Sequence, residues 1–343
     1  MIKYISLLII FIIFIILLIY YLNIPINKLD NNILTIKYGH PYRYFKDDNN
    51  NILPIVGITA FFRSSADKKQ YYKFIENKIS VIGVTAYKTF PIKITDPSED
   101  KYHLTDDFNY LKEIKIWLTC MRDLHLYNFN KNHTILDISE SDFYDIENDN
   151  MKKNKIYDFI YICGKDNDTC PLDGWNAINR NYSLALRCFP IMINEYNLTG
   201  LCVGRLGCDL SEYKDKIITT DFLPYPELQD KMRESRFLFL PNIYDASPRV
   251  IAECLIKDVP VLMNYSIICG FKYINSETGE FFIDEYNIRN ALDNLLGKIN
   301  TISPKTWWNK NYGIEKSSIK LRNFLNIYYP DIFKNVKKVS MII

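Results

Sequence analysis

The sequence predicts an α/β protein with two doubly wound halves behind one transmembrane helix. Three observations lead to this prediction. Residues 4–22 carry no charge over the length that a helix needs to cross a bilayer. Short apolar runs alternate with amphipathic stretches through the rest of the chain, which is typical of parallel sheets flanked by helices. The 343 residues also suffice for two domains behind an anchor.

The composition is that of a globular protein, with 48% hydrophobic and 24% charged residues. Lys and Arg number 42 and Asp and Glu 40, so the net charge of +2 gives no reason to expect a nucleic-acid partner. The eight cysteines are too sparse for a disulfide scaffold, and none has zinc-site spacing. Cys163, Cys202 and Cys254 lie in apolar runs. We therefore interpret all eight as structural residues.

Residues 1–22 are predicted to form an uncleaved transmembrane signal-anchor. The apolar run ends in Tyr20, Tyr21 and Leu22, an aromatic flank suited to a membrane interface. Lys3 favours a cytosolic amino terminus, but Lys28 beyond the run weakens this preference, so the orientation stays open. Residues 23–32 would form a short polar stalk.

Residues 33–150 are predicted to form the first α/β half. Apolar runs indicate strands and amphipathic runs indicate helices. The acidic, Asn-rich stretch 140–155 lacks an apolar period and is the best candidate for a linker. The predicted strands are Ile33–Ile36, Ile55–Phe62 and Ile79–Val84, and the predicted helices are Ala66–Glu76 and Phe108–Leu118.

Residues 155–300 show a sharper alternation, which is typical of a doubly wound domain. The tail, 301–343, is predicted to pack across the domains, with one or two helices from Pro304 to Leu325 and with Trp307 and Trp308 against the other half. The predicted strands of this half are Tyr157–Cys163, Leu201–Val203, Ile217–Thr219, Phe237–Leu240 and Pro260–Met263. The predicted helices are Asn179–Tyr196 with a kink at Pro190, Pro226–Arg236, Pro248–Lys257 and Glu285–Ile299.

The segment 237–264 combines features of a small-molecule site. An apolar strand opens a loop, Ser247 is suited to cap a helix, and Pro248 is suited to its first position. The free N–H groups at such a helix start favour a diphosphate. Asp245 lies just before the helix and Glu253 in its second turn. A carboxylate accepts hydrogen bonds from neighbouring hydroxyls, which suits a ribose or a hexose.

This segment resembles the second domain of the retaining glycosyltransferases of GT-B fold, family-4 type. Asp245, seven residues, Glu253 and a following Pro-Val strand match that family's paired carboxylates, except that the family has Glu at the first position. Phe222, Pro224 and Leu228 match the preceding helix, and residues 277–282 (ETGEFF) match a later loop and strand. The resemblance covers about residues 155–300.

The resemblance implies two Rossmann-like domains facing a cleft, with the acceptor bound by the first and a nucleotide-sugar donor by the second. It implies transfer with retention to a glycan, protein or lipid acceptor, without a metal or cofactor. Glu253 would hold the ribose and Asp245 the donor sugar. Ser247 and Arg249 would approach the phosphates, and Phe222 would belong to the donor site.

Cations for the leaving diphosphate are also implied by the resemblance. Lys165 after Gly164 matches the family's first position, whereas Asp173 stands where the family has Lys, so Arg180 is the candidate substitute. Asp245, Lys165 and Arg180 are thus the candidate catalytic residues.

Two alternatives stay open. Because Asp245 and Asp173 depart from the family pattern, the chain could be an inactive nucleotide- or carbohydrate-binding membrane protein of the same fold. Asp166 and Asp168 form an Asp-x-Asp motif that could bind a divalent metal in a different class of transferase. Neither a P-loop nor a dinucleotide fingerprint is found in the sequence.

Overall fold

The structure, a computed structural model, describes residues 40–86, 89–92, 107–145 and 153–341. The predicted signal-anchor, the stalk and the strand at 33–36 lie outside these residues and stay predictions. Within the described part of the chain, no helix has both the length and the apolar character that a membrane span requires.

The first half contains a six-stranded sheet in the order β12-β1-β2-β3-β4-β5, in which β12 (Val339–Met341) comes from the tail of the chain. Strands β2 to β5 are parallel, whereas β1 runs antiparallel to both β2 and β12. Helix α1 begins with a capping box in which Ser64 and Asp67 bond each other's backbone N–H. The elements are β1 Tyr42–Asp47, β2 Ile52–Ile58, α1 Ser65–Glu76, β3 Ser80–Val84, α2 Tyr110–Glu113, β4 Ile116–Thr119 and β5 Thr134–Asp137, with 3₁₀ turns at Leu124–Tyr127 and Glu140–Phe143.

The second half contains a six-stranded parallel sheet in the order β11-β10-β9-β6-β7-β8. Counted within this half, the order is that of a Rossmann fold, and its switch point lies between β6 and β9. Ligands bind beyond the carboxyl ends of the strands at such a point. The elements are β6 Tyr157–Ile162, α3 Trp175–Asn179, α4 Tyr182–Pro190, β7 Gly200–Val203, β8 Ile217–Thr220, α5 Tyr225–Arg233, β9 Ser235–Leu240, α6 Arg249–Leu255, β10 Val261–Asn264, β11 Gly279–Phe282 and α7 Ile288–Lys298.

The tail returns to the first half. It forms α8 Pro304–Asn311 and α9 Ile314–Tyr328, which confirms the one or two helices predicted from Pro304 to Leu325. Beyond them it adds α10 Pro330–Phe333 and β12 Val339–Met341. Trp308 is buried in the core of the second half, and its indole N–H donates to the Tyr144 carbonyl at 2.8 Å. Leu321 and Leu325 complete the core of the first half.

The stretch predicted as a linker begins as a packed element. Its residues Glu140–Phe143 form a 3₁₀ turn, and Asp142 within it is 1% exposed. Lys272 of the second half pairs with the Asp142 carboxylate at 2.9 Å, and the Tyr273 hydroxyl donates to it at 2.5 Å. The stretch joins β5 of the first sheet to the first strand of the second sheet, as a linker does, but its first residues are packed, because the acidic side chain is neutralised across the interface between the halves.

One helix prediction is wrong in its bounds. The helix predicted over 108–118 ends at Glu113, and β4 follows, because Ile116 and Trp117 pack as a strand in the sheet. The irregularity predicted at Pro190 is confirmed: α4 begins at Tyr182 and ends at Pro190, and a π-helical turn follows, because proline lacks the N–H for a regular helical bond. Cys170 and Cys208 form a disulfide and the other six cysteines are free and buried, which agrees with a structural role for all eight.

Candidate functional site

A cavity of about 620 Å³ lies at the carboxyl ends of the second sheet. Both halves contribute walls to it. The second half contributes most of the predicted site residues: Arg180, Phe222, Asp245, Ser247, Arg249 and Glu253. The first half contributes His40, Arg43, Thr59, Ala86, Glu140 and Tyr144. The structure therefore brings together six of the seven predicted site residues, and Lys165 lines a neighbouring cavity.

The loop between β9 and α6 differs from the prediction at the helix start. Helix α6 begins at Arg249, Pro248 precedes it, and no side chain caps it. The prediction that Ser247 caps the helix and Pro248 is its first residue is therefore wrong. Instead, the Ser247 N–H donates to the Asp245 carboxylate at 3.3 Å, so a local turn made by Asp245 sets the path of the loop.

Asp245 and Arg180 form an ion pair at the centre of the cavity. Arg180 follows α3, and its guanidinium donates to Asp245 at 2.9 Å. The Asn242 amide approaches the same carboxylate oxygen at 3.4 Å. The Arg180 side chain is 31% exposed and the Asp245 side chain 15%, so a ligand can still reach both. Two residues predicted to share one site from distant parts of the chain are thus in direct contact.

Glu253 is 8% exposed on the inner face of α6. The Tyr144 hydroxyl donates to one of its oxygens at 3.2 Å, and the Gln229 amide donates to the other at 3.5 Å. Burial and the nearby Glu253 carboxylate raise the pKa of Tyr144 well above its ordinary value, so this hydroxyl keeps its proton. The buried carboxylate can accept further hydrogen bonds from a ligand in the cavity.

A second cavity, of about 390 Å³, adjoins the first and shares Ile162, Arg180 and Phe222 with it. Lys165 lines this second cavity. Its ammonium group pairs with Asp168 at 2.9 Å and donates to the Leu206 carbonyl at 3.3 Å. The hydrogen bond to Asp168 raises the pKa of Lys165. Phe222 is 72% exposed on the shared wall.

The Asp-x-Asp motif makes local contacts in the structure. Asp166 accepts hydrogen bonds from the backbone N–H of Asn176 at 2.8 Å and of Ala177 at 3.2 Å, so it caps α3. Asp168 pairs with Lys165. No group of three or more His, Cys, Asp or Glu side chains suited to a metal occurs in the described segments.

Several residues of the site were not found by sequence reasoning. Tyr144 and Gln229 touch Glu253, and Arg43 and Glu140 face the second half from the opposite wall at a mutual distance of 4.0 Å. Their partners lie far away in sequence, so no spacing pattern marks them. Arg205 is fully buried at the end of β7, and only its position after Gly204 could have drawn attention to it.

No protein-family model and no curated protein matches the chain. Solved structures do. A mutant of S. aureus TarM, solved with fondaparinux, α-GlcNAc-glycerol and UDP, is 15% identical at a TM-score of 0.51. The match covers 75% of this chain and 53% of that one, so the chain spans about half the length of TarM.

Two other solved structures match over more of their length. A glycosyltransferase from Rickettsia africae is 14% identical at a TM-score of 0.52, and the match covers 82% of this chain and 77% of that one. Anabaena HepE, solved with UDP, is 11% identical at a TM-score of 0.52, with coverage of 79% and 78%. At these identities the likeness shows the fold, which is the two-domain GT-B architecture.

Proposed function

We propose that the chain is a glycosyltransferase that moves a sugar from a nucleotide-sugar to an acceptor. The observation that carries the proposal is the meeting of Asp245, Glu253, Arg180 and Arg249 on one cavity between two α/β halves. Carboxylates suit sugar and ribose hydroxyls, and guanidinium groups suit phosphates. The similarity in fold to structures solved with UDP supports this choice of ligand.

Glu253 holds the ribose in this proposal. Its carboxylate is buried, and its two partners, Tyr144 and Gln229, are hydrogen-bond donors without charge. A buried carboxylate without a cation is costly to maintain. Hydroxyl groups of a ribose would add the hydrogen bonds that this carboxylate can still accept.

Asp245 binds hydroxyls of the transferred sugar, and Arg180 lies between that sugar and the diphosphate. The ion pair between them fixes both side chains before the donor arrives. Such preorganised charges stabilise the negative charge that develops on the leaving diphosphate.

Arg249 supplies the cation for the diphosphate in this cavity. Its side chain is exposed and lines the cavity, and within the described residues it has no hydrogen bond or ion pair. Lys165 and Arg180, by contrast, are each paired with an aspartate. Of these three cations, Arg249 is therefore the one whose guanidinium can bind a phosphate without first breaking an ion pair, and Ser247 lines the same cavity.

We further propose that transfer proceeds with retention and needs no metal or cofactor, as the resemblance implies. The acceptor hydroxyl would enter from the wall of the first half, where Arg43 and Glu140 lie, and its proton would pass to the leaving diphosphate. The acceptor is a glycan, a protein or a lipid, and residues 1–22 would anchor the enzyme in a membrane.

The rival function is binding of a nucleotide or carbohydrate without turnover. The ion pair between Asp245 and Arg180 favours it, because it occupies both groups that would handle the sugar. Incubation of the full chain with a panel of labelled nucleotide-sugars separates the two. Release of sugar from at least one donor, abolished by Glu253→Ala and Arg249→Ala but not by the exposed-site control Glu277→Ala, supports the enzyme. Binding of a donor without any release would refute it.

A further inference from the structure

Arg205 is a buried cation that has no acidic partner among the described residues. It is 0% exposed, directly after Gly204 at the end of β7. One guanidinium nitrogen donates to the Cys163 sulfur at 2.7 Å, and another lies 4.0 Å from the sulfur of Cys208. The guanidinium lies over the Tyr182 ring at 4.0 Å. In the described part of the chain, no carboxylate lies within ion-pair distance of it.

These contacts do not balance the charge. An arginine stays protonated at any pH at which the protein is folded. A sulfur atom and an aromatic face stabilise a cation less than a carboxylate does, and the buried Nε atom finds no hydrogen-bond partner in the described segments. A buried charge of this kind is expected to have a counter-charge. The resting structure does not provide one among the described residues.

Arg205 directly follows a residue that lines the second cavity. Gly204 and Gly164 both line that cavity, and Cys163 directly precedes Gly164. The two strand ends touch closely, because a Cβ on Gly204, at φ +88°, would lie 2.8 Å from the Cys163 carbonyl oxygen. Arg205 therefore sits at the carboxyl ends of β6 and β7, where ligands of this fold bind.

The other cations near the site, Lys165 and Arg180, are already paired with carboxylates. Lys165 is neutralised by Asp168 and Arg180 by Asp245. Asp221 adds a further carboxylate to the second cavity. Among the described residues, two cations near the donor site thus have no carboxylate partner. They are the exposed Arg249 and the buried Arg205.

We propose that Arg205 is a positioning residue for the donor, and that its counter-charge is the diphosphate of a nucleoside diphosphate bound above it. The inference rests on the proposed function and extends it to a residue that does not touch the ligand. The attraction acts through the Gly164–Lys165 turn. It is effective because the intervening protein screens a charge less than water does.

The test is titration calorimetry of the full chain with UDP and with uridine. Arg205→Met and Arg205→Gln remove the charge, Arg205→Lys keeps it, and Arg289→Met removes an exposed arginine elsewhere in the same half. We expect the charge-free variants to bind UDP about tenfold more weakly, with uridine binding changed by less than about twofold. Arg205→Lys should retain UDP affinity to within about threefold, because it restores the charge.

Equal loss of UDP and uridine, or unchanged UDP affinity in the charge-free variants, would overturn the proposal and leave the proposed function intact. Unfolding of both charge-free variants, seen by circular dichroism before any ligand is added, would also overturn it, since the charge would then serve the fold. Failure of the wild-type chain to bind UDP or any nucleotide-sugar would overturn the proposed function, and this inference with it.

Discussion

The Glu253→Gln substitution keeps the shape of a buried side chain and removes its charge. Glu253 is 8% exposed and accepts from the Tyr144 hydroxyl at 3.2 Å. In the proposed complex, ribose hydroxyls also donate to this carboxylate. Glutamine retains one acceptor oxygen, so one such bond is lost. A hydrogen bond to a charged group contributes about 1.5–3 kcal/mol, which corresponds to about 10- to 150-fold weaker binding of UDP.

Titration calorimetry with UDP and 2′-deoxy-UDP measures this effect directly. Glu277→Gln, at an exposed site in the loop before β11, serves as the matched control. The deoxy ligand already lacks one hydroxyl, so the substitution at residue 253 should weaken its binding by less than about tenfold. UDP affinity within about twofold of wild type, or an equal loss for both ligands, would refute the assignment of Glu253 to the ribose.

Three further predictions concern stability, measured as the free energy of unfolding in urea. Tyr144→Phe removes a donor to a buried carboxylate and should cost about 1 kcal/mol, whereas a loss below the error of the fit would show that the hydrogen bond is unimportant. Asp142→Asn breaks the buried pair with Lys272 and should cost about 3–5 kcal/mol, and an unchanged midpoint would contradict the role given to this cluster. Cys170→Ser opens a disulfide that links residues 38 apart and should cost about 4 kcal/mol at most. A reducing agent should lower the free energy of unfolding of the wild type by the same amount as the substitution does, and it should leave that of Cys170→Ser unchanged.

The second half of the fold could be predicted from the sequence because its signals are local. Several of its buried parallel strands are short apolar runs followed by a Gly or a Pro, as are Gly200–Val203 and Ser235–Leu240. The first half depends on distant contacts. Strand β1 pairs with β12 from the far end of the chain, and no local pattern announces such a partner. For the same reason, the burial of Asp142 by Lys272 could not be foreseen.

The candidate site was predictable where a motif recurs at fixed spacing. Asp245, Glu253 and Arg249 lie within one strand-loop-helix unit, and the structure places all of them on the cavity. Residues that act through space were missed. Tyr144 reaches Glu253 across 109 residues, and Arg205 is notable only because it is buried and, in the part of the chain that the structure describes, has no carboxylate partner.

The closing of the first sheet by β12 has a consequence for how the protein is made. The core of the first half includes Leu325, Phe333 and Val339, and the Lys337 N–H bonds Asp48 across 289 residues. Nascent domains usually fold in the order in which they leave the ribosome. Here the second half can complete its core before the amino-terminal half does. The amino-terminal half cannot complete its own core until translation has passed residue 339.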